Sequence, residues 1–577
     1  MTIFFSFFKN IIGEIAVIFL LIFSINNYLG NVNETIKADG VGYYDYLPSI
    51  FIHHDISRKD KPYVDSLHFY NRIDKIGAYT GYKTYKLDKY PCGTALLIPP
   101  FFLCTYQTAL IWDIKCTGYE YPFQRAVFYA AVFYFFLALL FFRKLLELFH
   151  IRKINILFLQ LLMALATSVS NYIYYDSSFS HIYSLFAVSA FLYFAKSYFK
   201  TENTTHFIWV CLCLALIFLL RNINIIIILF IPFLADSSTN LKEKTIFIFK
   251  NPVKLSLSLL GMSAIIALQC ILWHLQTGEF IVYSYTNEGF NFSAPMFTDI
   301  LFSYQKGLFI YTPILFIGLF GLVRLIYKRH YYLVSTWLLF FAVLTYVLSA
   351  WWCWFYGCSF GMRAYIEFYP VFFILFAILI NELNLWVKLP IVLISLVTIP
   401  ISLIQTYQYK NCILSWDSMT KKSYWEIFLK QEDKYKGYLW KRNYNFKNYS
   451  IEKQLCLGKK IAYPNTETIL LKINSNDINR FNKVNLIQVK FDNYFSAEDD
   501  SKLLFTIKDS VNNTESYSFN PPLVHFAEQG FNKYHTGEYN MEVPINANRN
   551  QLIKLSIYSP NRKDTLSNLK VTFFIPR

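Results

Sequence analysis

The sequence has no CxxC pair and no Cys/His cluster at zinc-ligand spacing, although it carries ten cysteines. That excludes a zinc ribbon and a thioredoxin-like redox motif. Cys211 and Cys213 fall in an apolar run and read as packing residues, while pairing of Cys353 with Cys358 in one outer loop stays open. No basic stripe accompanies a nucleic-acid motif, so no nucleic-acid partner is expected. There are no internal repeats and no low-complexity tracts. The N-terminus has one lysine and an apolar run from Ile11 to Leu29 but no small-residue cleavage site. It reads as a retained first helix rather than a removed signal peptide.

What is present is apolar surface. Of 577 residues, 55% are hydrophobic and 20% aromatic, and apolar runs recur through residue 407. The chain reads as a polytopic membrane protein. The excess of 54 Lys and Arg over 38 Asp and Glu falls largely in short loops and the tail. This suits topology signalling and anionic headgroups.

Single crossings are expected over 10–29, 123–142, 154–173, 182–199, 257–276, 307–327, 331–350, 365–381 and 389–407. Residues 91–111 are apolar but broken by Pro91, Pro99 and Pro100. Counting them as a crossing would put Arg143, Lys144, Arg152 and Lys153 outside, so the segment reads as re-entrant or interfacial. Residues 206–235 read as two short helices turning at Arg221, which keeps Lys242, Lys244, Lys250 and Lys254 inside. The total is about eleven crossings, with the N-terminus cytoplasmic and the C-terminus outside. The Lys, Asn, Ile, Phe and Tyr bias suggests an AT-rich bacterial genome and hence a bacterial inner membrane.

The expected domains are 1–410, a transmembrane part whose first outer loop is 30–90, then a linker over 411–461, then 462–577. The last part has short β-type runs at 466–473, 485–491, 502–507, 552–557 and 569–575. Several alternate polar with apolar, as in an antiparallel sandwich with one wet face per sheet.

This topology gathers the notable polar groups on the outer face. The first loop carries Lys37-Ala38-Asp39-Gly40-Val41-Gly42-Tyr43-Tyr44-Asp45, with glycines that allow tight backbone geometry beside Asp39. An aspartate among packed aromatics is poorly solvated, and its basicity is expected to rise. Asp39 is the candidate base; the plain alternative is a helix cap. Asp176, in Tyr174-Tyr175-Asp176-Ser177-Ser178, has the same alternative, and His181 that of a packed ring. Arg221 either snorkels to headgroups or meets a phosphate. Arg363 and Glu367 stand four apart and read most simply as an intrahelical ion pair. His53-His54-Asp55 resembles a metal set but lacks a further ligand. Trp351-Trp352-Cys353-Trp354 reads as an interfacial belt or a sugar-stacking wall.

An N-terminal helix, a long outer loop opening with Asp39, many crossings and a terminal outer domain together resemble the GT-C superfamily of integral-membrane glycosyltransferases. More narrowly, the chain is similar to bacterial dolichyl-phosphate-mannose–protein mannosyltransferase-like and aminoarabinose transferase-like proteins. The supporting segments are Lys89-Tyr90-Pro91, Pro99-Pro100-Phe101-Phe102, Asp176 with Ser180-His181, Glu288-Gly289-Phe290, Lys306-Gly307-Leu308-Phe309, and Gly357, Ser359, Gly361 and Arg363. Many relatives read Asp-Glu where this chain has Asp39-Gly40. The resemblance implies an inverting transfer from a polyprenyl-phosphate-linked sugar to an envelope glycan, lipid or protein. Asp39 would be the base, and Arg221, Arg363 and Lys306 would hold the donor phosphate. Asp45, Asp176, His181 and Glu288 would position the acceptor or the sugar. No metal ligand is assigned, and use of a divalent metal stays open. The competing readings are a transporter or flippase of a lipid-linked glycan, and a noncatalytic envelope protein whose outer domain binds glycan.

Overall fold

The computed structural model describes residues 2–30, 34–57, 78–436 and 449–576, apart from gaps at 84, 202, 287, 417–418, 459–460, 463–467, 479, 485, 496–501, 510–514, 520–532, 543–550 and 559–564. Residues 58–77 of the expected first loop lie outside the described residues. The chain divides into two compact units. One comprises Met1–Glu288, Leu308–Leu348 and Phe360–Thr406. The other comprises Gly289–Gly307, Ser349–Ser359 and Tyr407–Arg577, so it takes in parts of two loops as well as the tail.

Among the described residues seven helices are long and apolar enough to cross a membrane: Ile11–Leu29, Tyr121–Leu148, His181–Lys200, Pro252–Thr277, Tyr331–Ser349, Arg363–Glu382 and Leu385–Lys410. An eighth span results if Asn222–Leu234 and Ser238–Phe249, bent by 113°, count as one. The chain is a multi-pass membrane protein. Two spans are largely enclosed by the rest of the protein, with 83% of His181–Lys200 and 89% of Arg363–Glu382 buried. Pro252–Thr277 is the opposite case at 11%, as a lipid-facing helix would be.

The segment expected as one crossing at 307–327 is three short helices instead, Leu308–Tyr311, Pro313–Gly318 and Phe320–Tyr327. Pro313 lacks the N–H that a continuous helix needs. Gly318 and Gly321 then let the pieces lie against the backbone of Phe372 and Leu375. Residues 91–111 form two helices, Gly93–Leu97 and Pro99–Ile111. The 13 residues of the second reach about 20 Å, short of a hydrocarbon core of about 30 Å. The first helix is joined to its neighbours by polar contacts. Glu14 is buried, and its Oε1 accepts from Arg143 Nε at 2.6 Å and from Gln160 Nε2 at 3.0 Å. A carboxylate inside an apolar bundle is tolerated only with such partners.

The first unit also holds a small antiparallel hairpin, β1 (Tyr79–Tyr82) and β2 (Tyr85–Asp88). The second unit contains the remaining strands: β3 (Tyr449–Leu457), β4 (Ile461–Ala462), β5 (Thr468–Asn474), β6 (Leu486–Phe495), β7 (Lys502–Asp509), β8 (Glu515–Phe519), β9 (Lys533–Glu542), β10 (Gln551–Tyr558) and β11 (Thr565–Pro576). They make one sheet ordered β5-β10-β7-β8 and another ordered β3-β11-β6-β9, with β4 beside β11. Every pairing is antiparallel. Alternate residues point to a shared core: Leu503, Phe505 and Ile507 from β7, Ile553, Leu555 and Ile557 from β10, and Leu569, Val571, Phe573 and Ile575 from β11. Each of the five β-type runs read from the sequence coincides with a strand over its described residues, while 466, 467 and 485 lie outside the described residues. β3 lies in the stretch expected as a linker and β4 straddles its end, and the other two unread strands are β8 and the edge strand β9.

Candidate functional site

Asp39 opens a short helix, Asp39–Phe51, after Ala38 turns the chain with a φ of +45°. Almost the whole helix is buried, from Gly40 to Ser49. Its two glycines are there for close approach. A Cβ on Gly40 would collide with Ser178, and one on Gly42 would collide with the Tyr90 ring. Six residues at about 100° each place Asp45 roughly 120° around the helix from Asp39, so the two aspartates face different surroundings. Asp45 is fully buried and accepts from the hydroxyls of Tyr79, Tyr119 and Ser49. It ties the helix to the hairpin and to the 117–120 turn.

Asp39 keeps 26% of its side chain exposed, and its Oδ2 lies 2.7 Å from Arg363 Nη1. Arg363 begins a 3₁₀ helix, Arg363–Phe368, after Gly361 takes a φ of +58°. This explains the fate of the expected pair of Arg363 with Glu367. A 3₁₀ turn has about three residues, so positions four apart point in different directions. Arg363 turns to Asp39, and Glu367 turns to His181 and Arg221. The Arg363 guanidinium also lies 5.2 Å from the Phe179 ring, and its Nε has no hydrogen-bond partner among the described residues.

Arg221 stands where the helix Thr204–Leu220 ends, with extended backbone angles of −156° and 111°. The break frees its side chain to leave the helix line. Its Nη1 lies 3.2 Å from both ring nitrogens of His181, and its Nε lies 3.5 Å from Glu367 Oε1. Glu367 is fully buried and His181 is 1% exposed. His181 heads one of the two enclosed spans and Arg363 heads the other. Tyr43 joins the parts, because its hydroxyl lies in the electrostatic reach of Arg221, Asp39 and Arg363.

Lys89 completes the group. It follows the hairpin, pairs with Glu288, and lies 5.2 Å from the Tyr285 ring. The hairpin is held to this segment by Thr80 Oγ1 donating to Ser284 O at 3.0 Å and Ser284 Oγ donating to Lys89 O at 2.8 Å. Tyr46 fixes the next residue by donating to Tyr90 O at 2.8 Å, and Tyr90 donates its own hydroxyl to Asp39. On the other side, Lys37 lies 3.6 Å from Asp176, which accepts from Asn171 Nδ2 at 2.7 Å.

The electrostatics of Asp39 differ from the expectation of a raised basicity. Burial does push its carboxyl up, but the charges of Arg363 and Lys89 and the hydrogen bonds from Tyr90 and Arg363 outweigh it. The carboxyl is held below its ordinary value of 3.8. Asp176 goes the other way, because burial there outweighs Lys37, Asn171 and Arg363.

Asp39, Arg363, Arg221, His181, Asp176 and Glu288 therefore all belong to one region of the first unit. Asp45 sits behind it in a cage of hydroxyls. Lys306 belongs to the second unit, where its ammonium donates to Gly357 O at 2.6 Å and to Ser359 Oγ. Lys89, Tyr43, Tyr90, Tyr285, Glu367 and Asn224 were not singled out as site residues in the sequence. The available signals were Lys89 directly before the Tyr90-Pro91 break and Asn224 three positions after Arg221.

No group of three His, Cys, Asp or Glu among the described residues is arranged to hold a metal ion. His53 Nε2 meets Thr117 O and His54 Nδ1 meets Ile50 O, each at 3.1 Å. Each carboxylate of the site faces a cation or an N–H donor of the protein.

No family model matches the chain, and no curated protein matches it. Solved structures of an archaeal oligosaccharyltransferase are similar to it. The Archaeoglobus fulgidus enzyme in the apo form gives a TM-score of 0.40 at 12% identity, over 69% of this chain and 56% of that one. Archaeal oligosaccharyltransferase AglB in complex with an inhibitory peptide and a dolichol-phosphate gives 0.37 at 10% identity, over 70% and 56%. The A. fulgidus enzyme tethered with an acceptor peptide containing the NVT sequon gives 0.40 at 11% identity, over 74% and 61%. At these scores the likeness is remote, and the chain spans little more than half the length of those proteins.

Proposed function

We propose that the first unit is a membrane glycosyltransferase of the GT-C type that moves a sugar from a polyprenyl-phosphate-linked donor to an acceptor hydroxyl on the outer face of a bacterial inner membrane. The observation that carries this reading is the contact of Asp39 with Arg363 at 2.7 Å, with Arg221 and Lys89 in the same group. Sugar transfer from a lipid phosphate needs a carboxylate for the acceptor proton and cations for the departing phosphate. Both are present here, drawn from positions hundreds of residues apart.

The reaction is an inverting displacement. The acceptor oxygen attacks the anomeric carbon, and the bond from that carbon to the phosphate oxygen breaks. The acceptor proton passes to Asp39, and the phosphate leaves with the electron pair. Arg363, Arg221 and Lys89 stabilise the charge that builds on it. Asp176 and Glu288 flank the group and orient hydroxyls of the acceptor or the sugar.

Asp39 held low by Arg363 is ionised at neutral pH but is a weak base. A donor phosphate that draws Arg363 toward itself removes the main charge holding Asp39 low. Burial then dominates, and the carboxylate becomes more basic when the donor is in place.

The test uses the conservative variant Asp39→Asn. Deleting the gene and weighing envelope glycans, lipids and proteins by mass spectrometry should show one species that lacks a sugar residue. Wild-type protein should restore it. Asp39→Asn should reach the membrane in equal amount and restore none of it. Normal restoration by that variant would refute the role of Asp39.

A further inference from the structure

Glu367 is a buried carboxylate that the proposed reaction leaves unused. Three groups converge on its Oε1. His181 Nδ1 and Asn224 Nδ2 each lie at 3.1 Å, and Arg221 Nε lies at 3.5 Å. Its Oε2 has no hydrogen-bond partner among the described residues. Asn224 is itself fixed by donating to Ser184 Oγ at 2.8 Å, and the Tyr172 ring meets His181 edge-on at 5.0 Å. A fully buried carboxylate is costly unless its charge is matched, and a cation beside it is held strongly in return. Arg221 is the only residue of this set that reaches solvent, at 14% exposure.

We propose that Glu367 is a positioning residue for Arg221. It holds one edge of the guanidinium, His181 backs the plane, and the opposite edge is left to present N–H donors toward Tyr43 and the Asp39 centre. A planar fork aimed in this way suits a phosphate oxygen pair, whereas a freely rotating arginine on a helix end would not. Glu367 touches no substrate; it acts through Arg221. The inference rests on the reading of Arg221 as a donor-phosphate group.

The experiment titrates undecaprenyl phosphate, which is the leaving group common to any sugar, against the full-length protein in nanodiscs. Glu367→Gln preserves shape and should weaken binding about ten-fold, as should Arg221→Ala. In the Arg221→Ala background, Glu367→Gln should change affinity by less than about two-fold, because its only route is gone. Glu367→Asp keeps the charge and should recover part of the loss, and it carries the same comparison if Glu367→Gln does not fold. Wild-type affinity in Glu367→Gln, or losses that multiply in full with those of Arg221→Ala, would overturn the inference. If the wild-type protein does not bind undecaprenyl phosphate, the donor reading fails. Phenylglyoxal then tests the positioning alone: Arg221 should be modified several-fold faster in Glu367→Gln, and equal rates would overturn it.

Discussion

Asp39 is mostly enclosed, with 26% of its side chain exposed, yet its carboxyl is held below the ordinary value because two cations and a tyrosine hydroxyl reach it. The sign of its pH dependence follows. A carboxyl held below 3.8 contributes stability that is present above the ordinary carboxylate range and is lost as pH falls through the depressed value. Activity that needs the ionised form should persist to the same acid limit. Arg363→Gln removes the largest cationic influence and leaves burial in charge. The acid limb of the pH–rate profile should then move to higher pH, together with a fall in rate of at least about ten-fold. An acid limb that stays in place would show that Arg363 does not set the proton affinity of Asp39. Neither sign was legible in the sequence. Aromatic neighbours of Asp39 are adjacent in the chain, but Arg363 is brought in by a turn at Gly361 more than three hundred positions later.

At the scale of elements, the site depends on helices that approach closely and on helices that stop. The helix Asp39–Phe51 lies on the 176–181 turn because Gly40 has no Cβ to meet Ser178. Gly40→Ala should cost about 1–3 kcal/mol by overpacking, read as a lowered Tm in detergent and a loss of transfer. The breaks are equally necessary. The apolar run around Arg221 was readable as two pieces because charge and two asparagines interrupt it. The run over 307–327 offered Pro313, Gly318 and Gly321 against a strongly apolar background, and a single span was the simpler pattern. In the folded chain Gly318 and Gly321 fit against the backbone of the helix Tyr369–Glu382. The relation between Arg363 and Glu367 turned on the same kind of detail. Spacing of four implies contact in an α-helix and divergence in a 3₁₀ turn.

At the scale of the whole molecule, membrane spans and a β sandwich follow different periodicities, and both were visible. Strands with a two-residue alternation and one buried face were legible at β7, β10 and β11. Phe573 is fully buried in that core, so Phe573→Ala should cost about 3–5 kcal/mol and lower the melting temperature of the sandwich. One strand left unread, β3, has little alternation to read. β3 pairs with β11 at a sheet edge, and its side chains are partly exposed on both faces. The proposed orientation is open to a direct check. Alkaline phosphatase fused after Arg577 should be active, and fused after Lys144 it should be inactive. The reverse pattern would place Asp39 on the cytoplasmic side and remove the outer-face reading.

The sequence by itself determined that this is a membrane protein with a β-rich tail, and it marked Asp39, Arg221 and Arg363 as unusual. It could do so because hydropathy and alternation are local properties, and because an ionisable group beside an apolar run stands out within a few residues. Only the tertiary structure decided which charges meet. It gave Asp39 to Arg363 and Arg221 to Glu367, turned Asp45 into a buried anchor, and brought in Lys89. The physical reason is that ion pairing depends on distance in space, and those distances are set by helix breaks and glycine contacts that no spacing along the chain encodes.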